Sequence, residues 1–236
     1  MTTKTHFAGT DHALPLRALA ALLSYPQADL QAASSEIGDV LHDCRTLSDD
    51  DRSRLAPLLR HLTQNDLIDL QEAYVELFDR GRRTSLHLFE HLHGESRDRG
   101  AAMIDLLQTY ETAGFLLREG ELPDYLPALL EFCGCVNHAT ARDFIADCAH
   151  LIRPLGEAVM ARRPDYAAVF ECVLHMGRQK GLDWTRAPEP DEEDIDREWQ
   201  EQPAFNRNAE SGAEGTPITF MPRGERARGA KESKHG

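Results

Sequence analysis

Apolar residues recur at i, i+3, i+4 and i+7 from residue 14 to residue 173, and that spacing admits few architectures. Leu16, Leu19, Ala20 and Leu23 share one face of a helix that Pro26 stops. A second helix is expected over residues 29–45. Ser48, followed by Asp49, Asp50 and Asp51, is an N-cap with acidic first-turn residues, opening a helix that carries Leu55, Leu58, Leu59 and Leu62. Asn65 or Asp66 caps the next, in which Leu67, Leu70, Tyr74 and Leu77 align. Gly81 interrupts it, and Thr84 or Ser85 is placed to cap a short helix running to about His91. Ser96 starts a long helix with a stripe of Met103, Leu106, Leu107 and Tyr110. Asp124 is expected to cap a helix bearing Leu126, Leu129, Leu130 and Cys133. Another carries Phe144, Cys148, Leu151, Leu155 and Val159. Pro164 opens the last, with Tyr166, Val169, Phe170 and Val173 on its inner side. Neither period-two alternation nor an Asn-Gly hairpin signal occurs. The expectation is all-α: a single helical bundle domain of roughly eight to ten helices.

The bundle is expected to span residues 14–186, after a flexible N-terminus at 1–13. Beyond Trp184 the chain becomes acidic and proline-punctuated, then rich in Gly, Ser, Arg and Lys. Such a stretch buries too little apolar surface to offset its ordering entropy, so 187–236 is expected to be a disordered tail. Ile195 and Trp199 are spaced for one short amphipathic turn within it. The net charge is −14; the 12 acidic and 7 basic side chains of 187–236 leave −9 on residues 1–186. A body of that sign argues against nucleic acid, whose phosphates require Lys and Arg, and against an anionic membrane surface. The five cysteines are odd in number and scattered, which suits free thiols in a reducing compartment. With no run of about 18 apolar residues and no signal-peptide core, a cytoplasmic location without membrane insertion is expected.

Unusual chemistry concentrates in residues 74–100, YVELFDRGRRTSLHLFEHLHGESRDRG, with five arginines and three histidines. Within it, His87-Leu-Phe-Glu90-His91 spells H-x-x-E-H. On a helix the two imidazoles would share a face and hold zinc, with Glu90 as general base, which makes a zinc-dependent hydrolase the alternative reading. Against it stand the brevity of the pattern, the lack of a third ligand and the absence of strands to line a cleft. The arginines and carboxylates also have two readings. They brace two helix ends, or they form a mixed-charge rim around Phe78 and Phe89 that grips a peptide. Residue chemistry leaves both open. Cys133 and Cys135, two apart on a helix, do not face each other and read as core. No phosphate-binding glycine loop and no nucleophile elbow is present. A scaffold domain acting through its acidic tail is a third possibility.

Longer stretches then carry a resemblance. Tyr74-x-Glu-Leu-Phe-Asp-Arg-Gly-Arg82, Thr84-Ser-Leu, Leu88-Phe-Glu-His91 and His93-Gly-Glu-Ser-Arg-Asp-Arg-Gly100 form its centre. Met103, Asp105-Leu-Leu107, Tyr110-Glu111, Glu121-Leu-Pro-Asp124 and an early Leu-Leu-Ser-Tyr25-Pro26 extend it over residues 14–180. The chain resembles the nitrate reductase molybdenum cofactor assembly chaperones, the NarJ family, related to the TorD-like redox enzyme maturation chaperones. The resemblance implies an all-helical, non-catalytic cytoplasmic chaperone without a cofactor of its own, monomeric or weakly dimeric. It implies as partner the apo catalytic (alpha) subunit of respiratory nitrate reductase, especially its N-terminal segment. That subunit would be kept competent for cofactor insertion and for docking with its membrane anchor. Position 87 is commonly apolar in this family, so His87 reads as incidental. The peptide-gripping residues expected from the motif are Tyr74, Phe78, Asp79, Arg80, Arg82, Phe89, Glu90, His91, His93, Glu95 and Arg97.

Overall fold

The structure, a computed structural model, describes residues 12–91, 96–118 and 120–185, except for the side chains of residues 96–98. The expected tail at 187–236 and most of the expected flexible N-terminus lie outside the described residues. Among the described residues there are eight α-helices: α1 (Ala13–Leu22), α2 (Ala28–His42), α3 (Asp49–Gln64), α4 (Leu67–Tyr74), α5 (Ser96–Thr112), α6 (Leu126–Cys135), α7 (His138–Arg162) and α8 (Pro164–Met176). No strand occurs among them, only an isolated antiparallel bridge between His87 and Tyr125. The all-α expectation holds.

Helix α8 is the centre of the packing. Its sequence alternates large and small apolar groups, and Tyr166, Ala167, Ala168, Val169, Phe170, Cys172, Val173 and Leu174 are all buried. A single inner face was expected from Tyr166, Val169, Phe170 and Val173. The helix is instead buried nearly all round, because α1, α3 and α7 each pack against it. Small residues at 167 and 168 allow that close approach. Glycine does the same on α7: a Cβ on Gly156 would lie 2.8 Å from the Phe170 Cβ and 2.9 Å from Leu182.

The start of α3 is tied to the end of α8 through one carboxylate. The Ser48 N–H donates to Asp51 Oδ2 at 2.8 Å, and the Asp51 N–H donates back to Ser48 Oγ at 3.2 Å, completing a capping box. Asp51 is also buried, and its carboxylate faces His175 Nδ1 at 2.9 Å. The acidic turn therefore does more than complement the helix dipole.

Helix α5 differs from its expected stripe. Leu106 and Tyr110 point inward, but Leu107 is 37% exposed and Ile104 57% exposed. Among the described side chains of α5, the i, i+4 pair Leu106 and Tyr110 is buried rather than a four-residue face.

Two local irregularities shape the surface that follows. Helix α4 continues into a π-helical turn, Val75–Asp79, closed by the Arg80 N–H donating to the Val75 carbonyl at 3.0 Å. The wider turn keeps Leu77 and Phe78 in the core while Asp79 and Arg80 emerge. The short helix expected from Thr84 or Ser85 to His91 is two separate 3₁₀ turns, Arg82–Thr84 and Leu88–His91. Gly81 precedes them, where a Cβ would collide with Thr84 Oγ1 and come within 2.8 Å of the Arg162 guanidinium. The Thr84 hydroxyl donates to the Leu77 carbonyl, folding the loop back on the π turn.

Candidate functional site

The loop 82–91 is held against the segment 121–126 by a short ladder. The Leu88 N–H donates to the Asp124 carbonyl at 3.0 Å, and the Leu126 N–H donates to the Leu86 carbonyl at 2.9 Å. At its centre sits Asp124, 0% exposed. Its Oδ2 accepts the Phe89 N–H at 3.1 Å, and its Oδ1 faces His87 Nδ1 at 3.3 Å. Asp124 was expected to cap α6; the N-cap position belongs to Tyr125, which makes no side-chain cap bond. The carboxylate turns the other way because the 3₁₀ turn at 88–91 offers it an N–H from across the ladder. The Asp124 hydrogen bond, partly opposed by burial, holds the His87 imidazole above its ordinary pKa.

This arrangement defines two clefts that share Asp79 and Ser85. The first, about 280 Å³, has aromatic walls from Tyr25, Tyr74, Phe78, His87 and Tyr125. The second, about 310 Å³, is polar and lined by Arg80, Arg82, Glu90 and Arg99. In the aromatic cleft the Tyr25 and Tyr74 rings stand perpendicular with centroids 5.6 Å apart, and His87 lies against Tyr125 at 5.3 Å. The Tyr74 hydroxyl donates its one hydrogen to the Leu23 carbonyl at 2.9 Å. Its 3.3 Å contact with the Tyr125 hydroxyl then has Tyr125 as donor. Burial pushes both phenols above the ordinary tyrosine range, so both remain protonated. In the polar cleft Arg99 stands 3.8 Å from Glu90, and Arg80 pairs with Glu76 at 2.9 Å.

The residues singled out from sequence separate into groups. Tyr74 and Phe78, 4% and 3% exposed, line the aromatic cleft while packing in the core. Asp79, Arg80 and Arg82 are exposed at the rim. Glu90 lines the polar cleft. Phe89 is half-buried against the core, and His91 Nε2 contacts the Ser85 carbonyl at 2.8 Å; neither lines these two clefts. His93, Glu95 and the Arg97 side chain lie outside the described residues. Sequence reasoning missed Tyr25, Tyr125 and Arg99 as lining groups. A tyrosine beside a helix-stopping proline, and another within a Pro-Asp-Tyr turn, were the available signals.

The H-x-x-E-H spacing does not lie on one helix. His87 precedes the 3₁₀ turn and directs Nδ1 to Asp124, while His91 directs Nε2 to a backbone carbonyl. Among the described residues, the set of three potential ligands that converges is Asp51, Glu171 and His175, away from this motif. Also among them, no helix is long and apolar enough to cross a membrane.

Comparison with known proteins adds the family. Residues 44–171 match the family described as nitrate reductase delta subunit. The chain is 38% identical over 190 residues to the nitrate reductase molybdenum cofactor assembly chaperone NarJ of Escherichia coli K12, covering 77% of this chain and 80% of that one. It is 37% identical over 182 residues to the probable chaperone NarW of the same organism, covering 72% and 79%. It is 32% identical over 170 residues to the probable NarJ of Bacillus subtilis, covering 70% and 89%. Both clefts draw most of their lining from the matched span, and the chain belongs to the nitrate reductase delta subunit family of molybdenum cofactor assembly chaperones.

Proposed function

We propose that this protein is a non-catalytic, cytoplasmic assembly chaperone that binds the apo catalytic subunit of a nitrate reductase, principally through its N-terminal segment. It holds that subunit competent for molybdenum cofactor insertion and for later assembly with its membrane anchor. The observation that carries the reading is the pair of adjoining clefts in a chain whose relatives bear that chaperone name. One cleft offers aromatic walls that take a side-chain anchor, and the other offers arginines and carboxylates that fix orientation. That combination suits an amphipathic peptide. Binding an unfinished client at low free concentration draws it away from aggregation and premature docking by mass action. The protein acts as a monomer or weak dimer.

The test is calorimetric titration of the full chain with a peptide from the N-terminus of the catalytic subunit. Binding is expected, and Arg80→Glu with Arg82→Glu is expected to weaken it. If neither that peptide nor the whole cofactor-free subunit binds, the reading fails.

A further inference from the structure

We infer that the aromatic cleft is a cation cage, built to take the guanidinium or ammonium end of an arginine or lysine side chain from the bound client. This rests on the chaperone reading for the source of the cation, but the cleft's own chemistry stands apart from it.

Tyr25, Tyr74, Phe78, His87 and Tyr125 surround about 280 Å³ of space, with Leu86 as the one aliphatic side chain in the lining among the described residues. Apolar pockets are lined by aliphatic and aromatic groups alike, so the polar groups that accompany the rings decide the guest. Here five aromatic rings supply most of the lining, and aromatic faces attract cations through their quadrupole. At the rim stands Asp79, exposed and with no ion-pair partner among the described residues. Among the described residues, no arginine or lysine lines this cleft, although three arginines line the neighbouring one. An apolar guest gains nothing from this exposed carboxylate, whereas a cationic guest pairs with it.

The hydroxyls point to the same guest. The Tyr74 hydrogen is committed to the Leu23 carbonyl, and the Tyr125 hydroxyl is directed at Tyr74. What the two oxygens have left to offer is lone pairs. Together with Asp79 they form a set of acceptors. His87 in the same lining has Nδ1 committed to Asp124, so a guanidinium or ammonium guest enters beside the neutral imidazole and opposes its protonation. The net negative charge of the chain, −9 on residues 1–186, favours the approach of a basic segment in general.

The test separates the cage from the client. Full-length protein labelled at tyrosine is titrated with arginine amide and with citrulline amide, its uncharged isostere, at millimolar concentration. Arginine amide is expected to move the Tyr25 and Tyr125 ring signals, and citrulline amide to leave them in place. Asp79→Asn and Tyr25→Leu, both at exposed positions, are each expected to weaken the response about threefold to thirtyfold. Equal shifts with both amides, or an undiminished response in Asp79→Asn, would overturn the cage. In a second arm the client peptide carries citrulline or glutamine at each arginine or lysine in turn. One position is expected to lose binding in wild type and not in Asp79→Asn. Uniform losses that ignore Asp79 count against the cage. Arginine amide binding without client-peptide binding upholds the cage and overturns its chaperone role.

Discussion

Replacing Asp124 by alanine removes the acceptor on which the ladder between loop 82–91 and segment 121–126 turns. The side chain is fully buried and serves two partners, the Phe89 N–H at 3.1 Å and His87 Nδ1 at 3.3 Å. Leaving a buried donor such as the Phe89 N–H unpaired costs about 1–3 kcal/mol. The charge-assisted contact to His87 adds less, because that imidazole is partly exposed and screened. A total near 3 kcal/mol follows. For a chain of this size each kcal/mol lowers the melting temperature by roughly 2–4 °C, so the midpoint is expected to fall by about 6–12 °C. Asp124→Asn keeps an oxygen for the Phe89 N–H and should cost about 1 kcal/mol. Differential scanning calorimetry on the three proteins, with amide exchange at Phe89, measures both effects. A midpoint for Asp124→Ala within about 2 °C of wild type, or equal damage from the two variants, refutes the role assigned to this carboxylate.

Other expectations follow from the same geometry. The His87 pKa is raised, so the stability it contributes is fully present below the ordinary histidine value near 6.5 and is lost as pH rises through the higher folded-state value. An NMR titration is expected to give a midpoint above that ordinary value, falling in Asp124→Asn; a wild-type midpoint at or below it contradicts the hydrogen bond. Gly156→Ala drives a methyl to 2.8 Å from the Phe170 Cβ and is expected to cost about 1–3 kcal/mol by urea denaturation; a stabilised variant contradicts the packing. Asp51→Ala removes the capping box and the His175 contact together, and is expected to cost about 2 kcal/mol, more than His175→Ala alone. If His175→Ala costs as much, the cap contributes nothing.

Helix positions were legible because each apolar stripe is a local pattern, and Ser48 announces its helix by a cap that acts within three residues. The all-round burial of α8 was not legible: whether Ala167, Ala168 and Cys172 are buried depends on how many neighbours surround the helix, which no window along the chain contains. Asp124 shows the same limit. Its place before a helix made capping the economical reading, but a partner 35 residues away offered a better bond. The H-x-x-E-H pattern, already weak for its brevity and missing third ligand, fails further because its segment is not α-helical, so the i, i+4 proximity of an α-helix does not apply. The π turn at 75–79 gave no sequence signal, since it shifts register by one residue within an otherwise ordinary apolar run. Of the motif, composition drew attention to the charged residues Asp79, Arg80, Arg82 and Glu90. The tyrosines that complete the aromatic cleft come from distant segments at 25 and 125, and only the fold brings them to Tyr74.

The central claim is that the two clefts recognise an unfinished nitrate reductase catalytic subunit. The most direct measurement is size-exclusion chromatography with calorimetry, mixing the full chain with cofactor-free catalytic subunit and, separately, with the cofactor-loaded enzyme. A stoichiometric complex with the cofactor-free subunit is expected, weakened at least tenfold when Tyr25→Leu is combined with Asp79→Asn and Arg82→Glu, with little or no complex with the loaded enzyme. Equal binding of both forms, or binding of the cofactor-free form that these substitutions leave unchanged, would contradict it.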